Sequence, residues 1–114
     1  MSEKIRIDEF TKEVPASKET DVYSIHDRVG EYLTDSVTVL HPYKETRGHD
    51  HEGQEEIYFF VRGSGVMQLG DKRFDVTVGD LVKIPSGVFH KVINPTGEEL
   101  AFYCVFNGAP ARPK

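Results

Sequence analysis

Residues 79–94 of this chain read GDLVKIPSGVFHKVIN, and residues 49–63 read HDHEGQEEIYFFVRG. Each stretch contains a run of branched and aromatic residues that predicts a β-strand. Pro85-Ser86-Gly87 suits a tight turn immediately before the strand that His90 opens. The run in the other stretch begins at Glu56. The two stretches therefore predict short strands that each start with a side chain capable of binding a metal.

His49 and His51 add two imidazoles shortly before Glu56. Because residues two apart on an extended chain point to the same face, both imidazoles can reach one ion. Imidazole nitrogen suits the borderline and softer divalent ions, so three imidazoles and one carboxylate favour Mn, Fe, Co, Ni or Zn over Mg and Ca. The sequence predicts one divalent transition metal with four protein ligands: His49, His51, Glu56 and His90.

These residues resemble the two sequence motifs of the cupin superfamily. The second motif, G-x5-P-x-G-x2-H-x3-N, is matched at every fixed position by Gly79, Pro85, Gly87, His90 and Asn94. The first motif, G-x5-H-x-H-x3-4-E-x6-G, is matched by His49, His51, Glu56 and Gly63, but Tyr43 stands where it opens with glycine. The resemblance covers roughly residues 37–106. It implies an all-β fold, an antiparallel double-stranded β-helix of jelly-roll type.

The interval to Gly63 in the first motif selects Glu56 over Glu55 as the carboxylate ligand. Only one of the two can face the metal, because adjacent strand residues point to opposite faces. Tyr58 and Phe60 then share the face of the metal. The opposite face carries Glu55, Ile57, Phe59 and Val61, and we expect it to pack against a second sheet or a partner subunit.

Short strand-like runs separated by turn signals extend along most of the chain. The predicted strands are Ile5–Ile7, Val22–His26, Val37–His41, Ile57–Val61, Val66–Leu69, Phe74–Val78, Leu81–Ile84, Phe89–Ile93 and Leu100–Phe106. A helical turn is an alternative within residues 8–18, although Pro15 and an irregular apolar period oppose it. We expect one domain over residues 1–114, with an N-terminal arm (about 1–20), a core barrel (about 21–107) and a loose C-terminal tail (108–114).

The amino-acid composition limits the kinds of molecule that the protein is expected to bind. The net charge is −5 and the 14 lysines and arginines are scattered, so neither nucleic acid nor an anionic membrane is expected to bind. No apolar stretch is long enough to span a bilayer, and MSEKIRIDEF lacks the apolar core of a signal peptide, so we predict a cytoplasmic protein.

The single cysteine, Cys104, is expected to be a small buried hydrophobe, with a place in the cavity wall as the alternative. Apolar residues on both strand faces favour a homodimer.

A second, local resemblance is to the cupin-type phosphoglucose isomerases, which share a T-x-G-H-x-H start and a G-x-G-x-M ending, present here in residues 46–51 and 63–67. It implies proton transfer between neighbouring sugar carbons by an acid/base such as Tyr58, with Arg47 near a phosphate. An aromatic ring that fills the barrel and an exposed surface arginine are the alternatives for these two residues. Further candidates for polar groups that face the site are Tyr43, His41, Gln68 and Tyr103.

Three functions follow from an open metal site in a barrel. The first, which we favour, is a metal-dependent enzyme that acts on a small oxygenated metabolite such as a sugar or carbonyl compound, in an isomerase-like or dioxygenase-like reaction. The second is a module that binds a small ligand without turnover. The third is a structural cupin in which the metal only stabilises the fold.

Overall fold

The computed structural model describes residues 3–108, and strands dominate this part of the chain. A 3-10 turn (Ile7–Glu9) and a single helical turn, α1 (Phe10–Glu13), precede the strands. The strands are β1 (Lys18–Glu19), β2 (Tyr23–Val29), β3 (Leu33–Leu40), β4 (Glu56–Arg62), β5 (Ser64–Leu69), β6 (Lys72–Thr77), β7 (Leu81–Ile84), β8 (His90–Ile93) and β9 (Leu100–Asn107).

The strands form two antiparallel sheets. The larger sheet has the order β1-β2-β3-β9-β4-β7, and the smaller has the order β6-β5-β8. Isolated antiparallel bridges between Glu45 and Ile93 and between His49 and His90 lay the segment before β4 alongside β8. The predicted all-β, antiparallel jelly-roll fold is confirmed.

The burial of β4 alternates as the predicted strand faces require. Glu56, Tyr58 and Phe60 are buried between the sheets, whereas Ile57 is exposed and Phe59 is half-buried. Phe60 packs with Leu40, Met67 and other apolar side chains of the inner faces in one core cluster. Glu56, the polar first residue of β4, therefore faces the same interior as the aromatic residues Tyr58 and Phe60.

The predicted strand at Ile5–Ile7 is wrong, because this segment leads into the 3-10 turn and α1. Phe10 and Val14, four residues apart, bury 98% and 99% of their surface against the outer face of the larger sheet. Val14 is extended (ψ 113°), as expected for a residue that precedes proline, so the helical turn ends there. The helical turn that we considered for residues 8–18 is present, and β1 was not predicted.

Tyr43 takes up the conformation that the missing motif glycine would supply. Its φ is +60°, in the left-handed region that costs other residues roughly 1–2 kcal/mol. Backbone hydrogen bonds hold the turn, from Tyr43 N to Thr96 O (3.1 Å) and from Lys44 N to His41 O (3.3 Å). The turn that opens the first motif is thus kept without its glycine.

An ionic network lies on the outer face of the larger sheet, beneath the N-terminal arm. Arg28 Nη2 donates to Asp35 Oδ2 (2.6 Å), and the Tyr103 hydroxyl donates to the same oxygen (2.8 Å). Burial by itself would raise the pKa of Asp35, but the hydrogen bonds from Arg28 and Tyr103 outweigh it and hold that pKa below its usual value. Burial, followed by the contact with Asp35, raises the pKa of Tyr103. Phe10 packs edge-on against the Tyr103 ring, so the network also anchors the arm.

Some expectations on chain organisation stay predictions. The division into an arm, a barrel and a tail is one of them, and most of the expected loose tail, residues 109–114, lies outside the described residues. Gly108, the first residue of that tail, is held by hydrogen bonds with Tyr32 and Thr34. Among the described residues, no helix is long and apolar enough to cross a membrane.

Replacement of Asp35 by asparagine is expected to lower the free energy of unfolding by about 1–3 kcal/mol, because Arg28 and Tyr103 then lose a charged acceptor. The matched control is Asp8→Asn, which removes an exposed pairing with Arg6 and should cost less than about 0.5 kcal/mol. Urea unfolding of both variants measures the difference. Equal effects would contradict a structural role for the network.

The effect of Asp35→Asn should depend on pH. A carboxyl whose pKa is lowered in the folded state stabilises fully above its unfolded pKa, about 3.9, and loses that contribution as the pH falls through the lower folded value. The stability difference between the parent and Asp35→Asn should therefore be constant near neutral pH and shrink below about pH 4. A difference that is unchanged at pH 3 would contradict the lowered pKa.

Candidate metal centre

Three of the four predicted ligands are brought together where strands begin. Glu56 is the first residue of β4 and His90 is the first residue of β8. His49 pairs with His90 through two backbone hydrogen bonds, from each amide to the other residue's carbonyl (3.1 and 3.0 Å). Gly48 precedes His49 with φ +84°, and a Cβ there would lie 2.3 Å from the Phe89 ring. A glycine is therefore needed to bring the His49 backbone this close to β8.

Ligand atoms of His49, Glu56 and His90 all lie within 4.8 Å of one another. Glu56 Oε2 is 3.0 Å from His90 Nε2 and 4.0 Å from His49 Nε2. The His51 ring lies beside the His49 ring, with centroids 4.4 Å apart, but His51 is outside the compact group of three. The structure thus places a carboxylate and two imidazoles around one point, with the fourth predicted ligand adjacent.

The hydrogen bonding of His90 indicates that this point suits a cation. His90 Nδ1 is 2.9 Å from the Val88 carbonyl, which can only accept, so Nδ1 carries the proton. In the neutral ring, Nε2 then presents a lone pair toward Glu56 Oε2. Both atoms are buried, and neither has a hydrogen-bond partner within residues 3–108. Two facing acceptors repel each other unless a cation or a proton lies between them, so the residues present fit a metal ion.

A cavity between the sheets adjoins the group. It is lined by His49, His51, Glu56, His90, Tyr58, Tyr23, Ile25, Ser36, Thr38, Thr46, Arg47, Gly48, Gln54, Phe102, Cys104 and Phe106. Strand β9 supplies apolar side chains, β3 supplies two hydroxyls, and Arg47 is the one lysine or arginine in this lining. The cavity can therefore receive a small molecule beside the group of three residues that could hold a metal.

Tyr58 lies where the sequence predicts. It is buried, lines the cavity, and its ring stands edge-on to His90 with centroids 5.7 Å apart. The same ring stacks on Phe102 at 4.7 Å, so it also fills the barrel. The two interpretations of Tyr58 are therefore compatible in space, and a role in proton transfer stays a prediction.

The further candidates for polar groups that face the site differ in whether they line the cavity. Arg47 lines the cavity, but the other four candidates lie outside it. Tyr43 is exposed, His41 contacts Glu99, Gln68 bonds to Gly70, and Tyr103 bonds to Asp35 on the outer face. These residues were chosen because they are polar, but polarity does not show which face of a sheet a side chain lies on.

Sequence reasoning missed the hydroxyls of β3. Thr34, Ser36 and Thr38 alternate with Asp35, Val37 and Val39, and this period of two is the signal that places them on one face. Ser36 and Thr38 line the cavity. Cys104 does so as well and is buried, with its Sγ 3.1 Å from Ser36 Oγ. Both expectations for Cys104, burial and a place in the cavity wall, thus describe it.

A family model described as a cupin domain matches residues 36–106. This chain belongs to the cupin family. An oxalate-binding protein from Thermotoga maritima is 35% identical over 57 residues, which cover 50% of this chain and 47% of that protein. Acireductone dioxygenase 1 from Vitis vinifera is 33% identical over 67 residues, 54% of this chain and 35% of that enzyme. Each match therefore spans half or less of the relative.

Among solved structures, an uncharacterised conserved protein from Klebsiella pneumoniae with a double-stranded β-helix domain superposes with a TM-score of 0.78. The match covers 94% of this chain and 90% of that one, at 17% identity. At this identity the likeness concerns the fold alone, and the fold is the one that the sequence motifs imply.

Glu56→Gln is expected to reduce the bound-metal content of this cupin to below about a tenth of the parent value, because a neutral amide replaces the only carboxylate in the group of three. Glu55→Gln is the matched control, since it changes the neighbouring residue that faces the other way, and it should keep the parent content. Elemental analysis of protein purified without added metal gives the metal-to-chain ratio. Full metal in Glu56→Gln, or loss in Glu55→Gln, would overturn the assignment of the carboxylate.

Proposed function

We propose that this cupin is a metal-dependent enzyme that acts on a small oxygenated metabolite such as a sugar or carbonyl compound. The observation that carries the proposal is the pair of buried acceptors, Glu56 Oε2 and His90 Nε2, which face each other without a hydrogen bond beside a cavity. A structural metal site needs no such cavity. A cavity that receives a ligand next to open coordination positions is the arrangement that catalysis requires.

Four protein ligands would hold the metal: His49, His51, Glu56 and His90. An ion that prefers six ligands would then retain open positions for a substrate oxygen or for water. When bound, a divalent transition metal supplies Lewis-acid polarisation of a substrate oxygen, or redox chemistry if it is iron. Val88 O fixes the tautomer of His90, so that its Nε2 is ready to coordinate without losing a proton.

The other cavity residues would bind and orient the substrate. Arg47 is exposed at the cavity and forms no ion pair or hydrogen bond within residues 3–108, so its guanidinium is available to an anionic oxygen. Phe102 and Phe106 of β9 exclude water from one wall. Tyr58, two residues beyond Glu56 on the same face of β4, would hold or donate the proton that a substrate oxygen gains during turnover.

Two forms of this activity differ in their requirement for oxygen. Isomerisation moves a proton between neighbouring carbons and needs no oxygen, whereas dioxygenation consumes it. The partial match to acireductone dioxygenase supports the second form. The partial match to an oxalate-binding protein supports a different candidate, a module that binds a small dicarboxylate without turnover.

A homodimer in the cytoplasm remains our expectation, and the exposed outer-face side chains of Ile57 and Leu81 support association.

The first test begins with elemental analysis of protein purified without added metal, compared with His51→Ala. We expect near-stoichiometric transition metal in the parent and its loss, together with turnover, in His51→Ala. The metal-loaded parent is then assayed with sugar phosphates and with 2-oxo acids, in air and without oxygen. Product formed only in air indicates dioxygenation, and product formed under both conditions indicates isomerisation. Saturable binding without product would establish the binding module instead, and a parent that takes up no metal would overturn the proposal.

Tyr58→Phe tests the proton-transfer step. The loss of a general acid is expected to lower kcat by about 100-fold or more, because such groups typically contribute that much. Metal content and melting temperature should stay at parent values, since the ring and its stacking on Phe102 are retained. The pH dependence of kcat should lose one limb. The control is Tyr103→Phe, the same change on the outer face of the sheet, which should leave turnover unchanged.

Unchanged turnover in Tyr58→Phe would show that Tyr58 only fills the barrel. A fall in kcat that is accompanied by loss of metal would instead show that the hydroxyl supports the metal site. In the first case the proton donor would have to be another group, because the retained phenyl ring cannot transfer a proton, and in the second case the proposed role of Tyr58 in proton transfer would be replaced by a role in holding the metal.

A further inference from the structure

Strand β3 presents two small hydroxyl side chains to the cavity. Ser36 and Thr38 are 99% and 93% buried, and both line the space beside the metal-binding group. The surrounding residues of β2 and β9 in this lining include Ile25, Phe102 and Phe106, which are apolar. Hydroxyls in such a wall are costly to bury unless they find a hydrogen-bond partner.

The partners of these hydroxyls differ along the strand. Ser36 Oγ lies 3.1 Å from Cys104 Sγ, a weak hydrogen-bond partner. The Thr38 hydroxyl forms no hydrogen bond with any of residues 3–108. Thr34, on the same face of β3, donates to Gly108 O at 2.6 Å and does not line the cavity. Thr38 is therefore the cavity-lining residue of β3 whose hydroxyl has bonding capacity left for a molecule in the cavity.

The sheet order separates Thr38 from the metal-binding group. Glu56 is on β4 and Thr38 is on β3, with β9 between them. At the usual spacing of neighbouring strands, β3 and β4 are roughly 10 Å apart. Thr38 is also displaced along the sheet, because it pairs with Phe102 in the row of Phe60, four residues beyond Glu56 on β4. The intervening inner-face residues that line the cavity are Phe102, Cys104 and Phe106. The cavity thus has a metal-binding end, a mostly apolar floor and a second polar end.

We propose that Thr38, assisted by Ser36, forms a second polar subsite that binds a hydroxyl or carbonyl group of the ligand remote from the metal. The ligand class is then a short, elongated oxygenated acid: one end coordinates the metal, a carbon chain crosses β9, and a second oxygen function reaches β3. The proposal rests on the proposed function for its metal-binding end. Thr38 determines which ligand is selected and takes no part in holding the metal.

The test uses two probes that share a metal-chelating 2-hydroxycarboxylate, 2,5-dihydroxypentanoate and 2-hydroxypentanoate. They differ only in the remote hydroxyl. Calorimetric titration of the metal-loaded protein should show that the dihydroxy acid binds about five-fold more tightly, the contribution of one hydrogen bond to a neutral group. In Thr38→Val the preference should vanish while 2-hydroxypentanoate binds as in the parent. Valine keeps the branched shape and favours strands.

Two further variants complete the comparison. Thr34→Val makes the same change on the same face of β3 away from the cavity, and it should keep the five-fold preference even if its melting temperature falls. Thr38→Ser keeps a hydroxyl and should keep the preference, which protects the test if Thr38→Val folds poorly.

Equal affinity of the parent for the two probes, or failure to bind either, would overturn the subsite. A preference that survives in Thr38→Val would overturn the assignment to Thr38. Metal content, measured on the same samples, separates these outcomes from failure of the proposed function. A metal-loaded parent that binds both probes equally retains its metal site and lacks only the subsite.

Discussion

The close approach of Glu56 Oε2 and His90 Nε2 is the constraint on which the site depends. The two atoms are buried 3.0 Å apart, and because His90 Nδ1 donates to Val88 O, the neutral ring presents a lone pair at Nε2. Without a cation or a proton between them, folding must bring a carboxylate and an acceptor nitrogen together inside a barrel. Packing of the rest of the fold offsets this free-energy cost, since Glu56 starts a strand whose next inward residues, Tyr58 and Phe60, belong to the main core.

The same constraint explains why the turns matter as much as the strands. His49 reaches His90 through a backbone pair that requires glycine at position 48, where a Cβ would collide with Phe89. Further upstream, Tyr43 keeps the left-handed conformation of the absent motif glycine. A strained tyrosine in that turn indicates that its geometry is determined by the surrounding chain, which must deliver residues 45–49 alongside β8.

The sequence predicts the barrel and the group of three because both depend on local spacing. The strand from Leu81 to Ile84 and the inward direction of Glu56 follow from alternation and turn residues. The N-terminal segment was predicted wrongly because Phe10 and Val14 gain their burial from the outer face of a sheet formed by later residues. Tyr103 likewise joins Asp35 and Arg28 through strand pairings that a single sequence does not reveal. The position of His51 outside the compact group depends on side-chain geometry and not on spacing.

The cavity divides its tasks between separate strands, and this division bears on how one scaffold serves different ligands. The side chains that would hold a metal come from β4, β8 and the segment beside β8, whereas the hydroxyls come from β3. Because β9 lies between β3 and β4, an inward residue of β3 can change without contact to the metal-binding carboxylate. Ligand choice can therefore vary while the costly pairing of Glu56 and His90 is preserved. Such independence is a physical reason why one fold can serve different ligands, since function resides in the site and not in the fold.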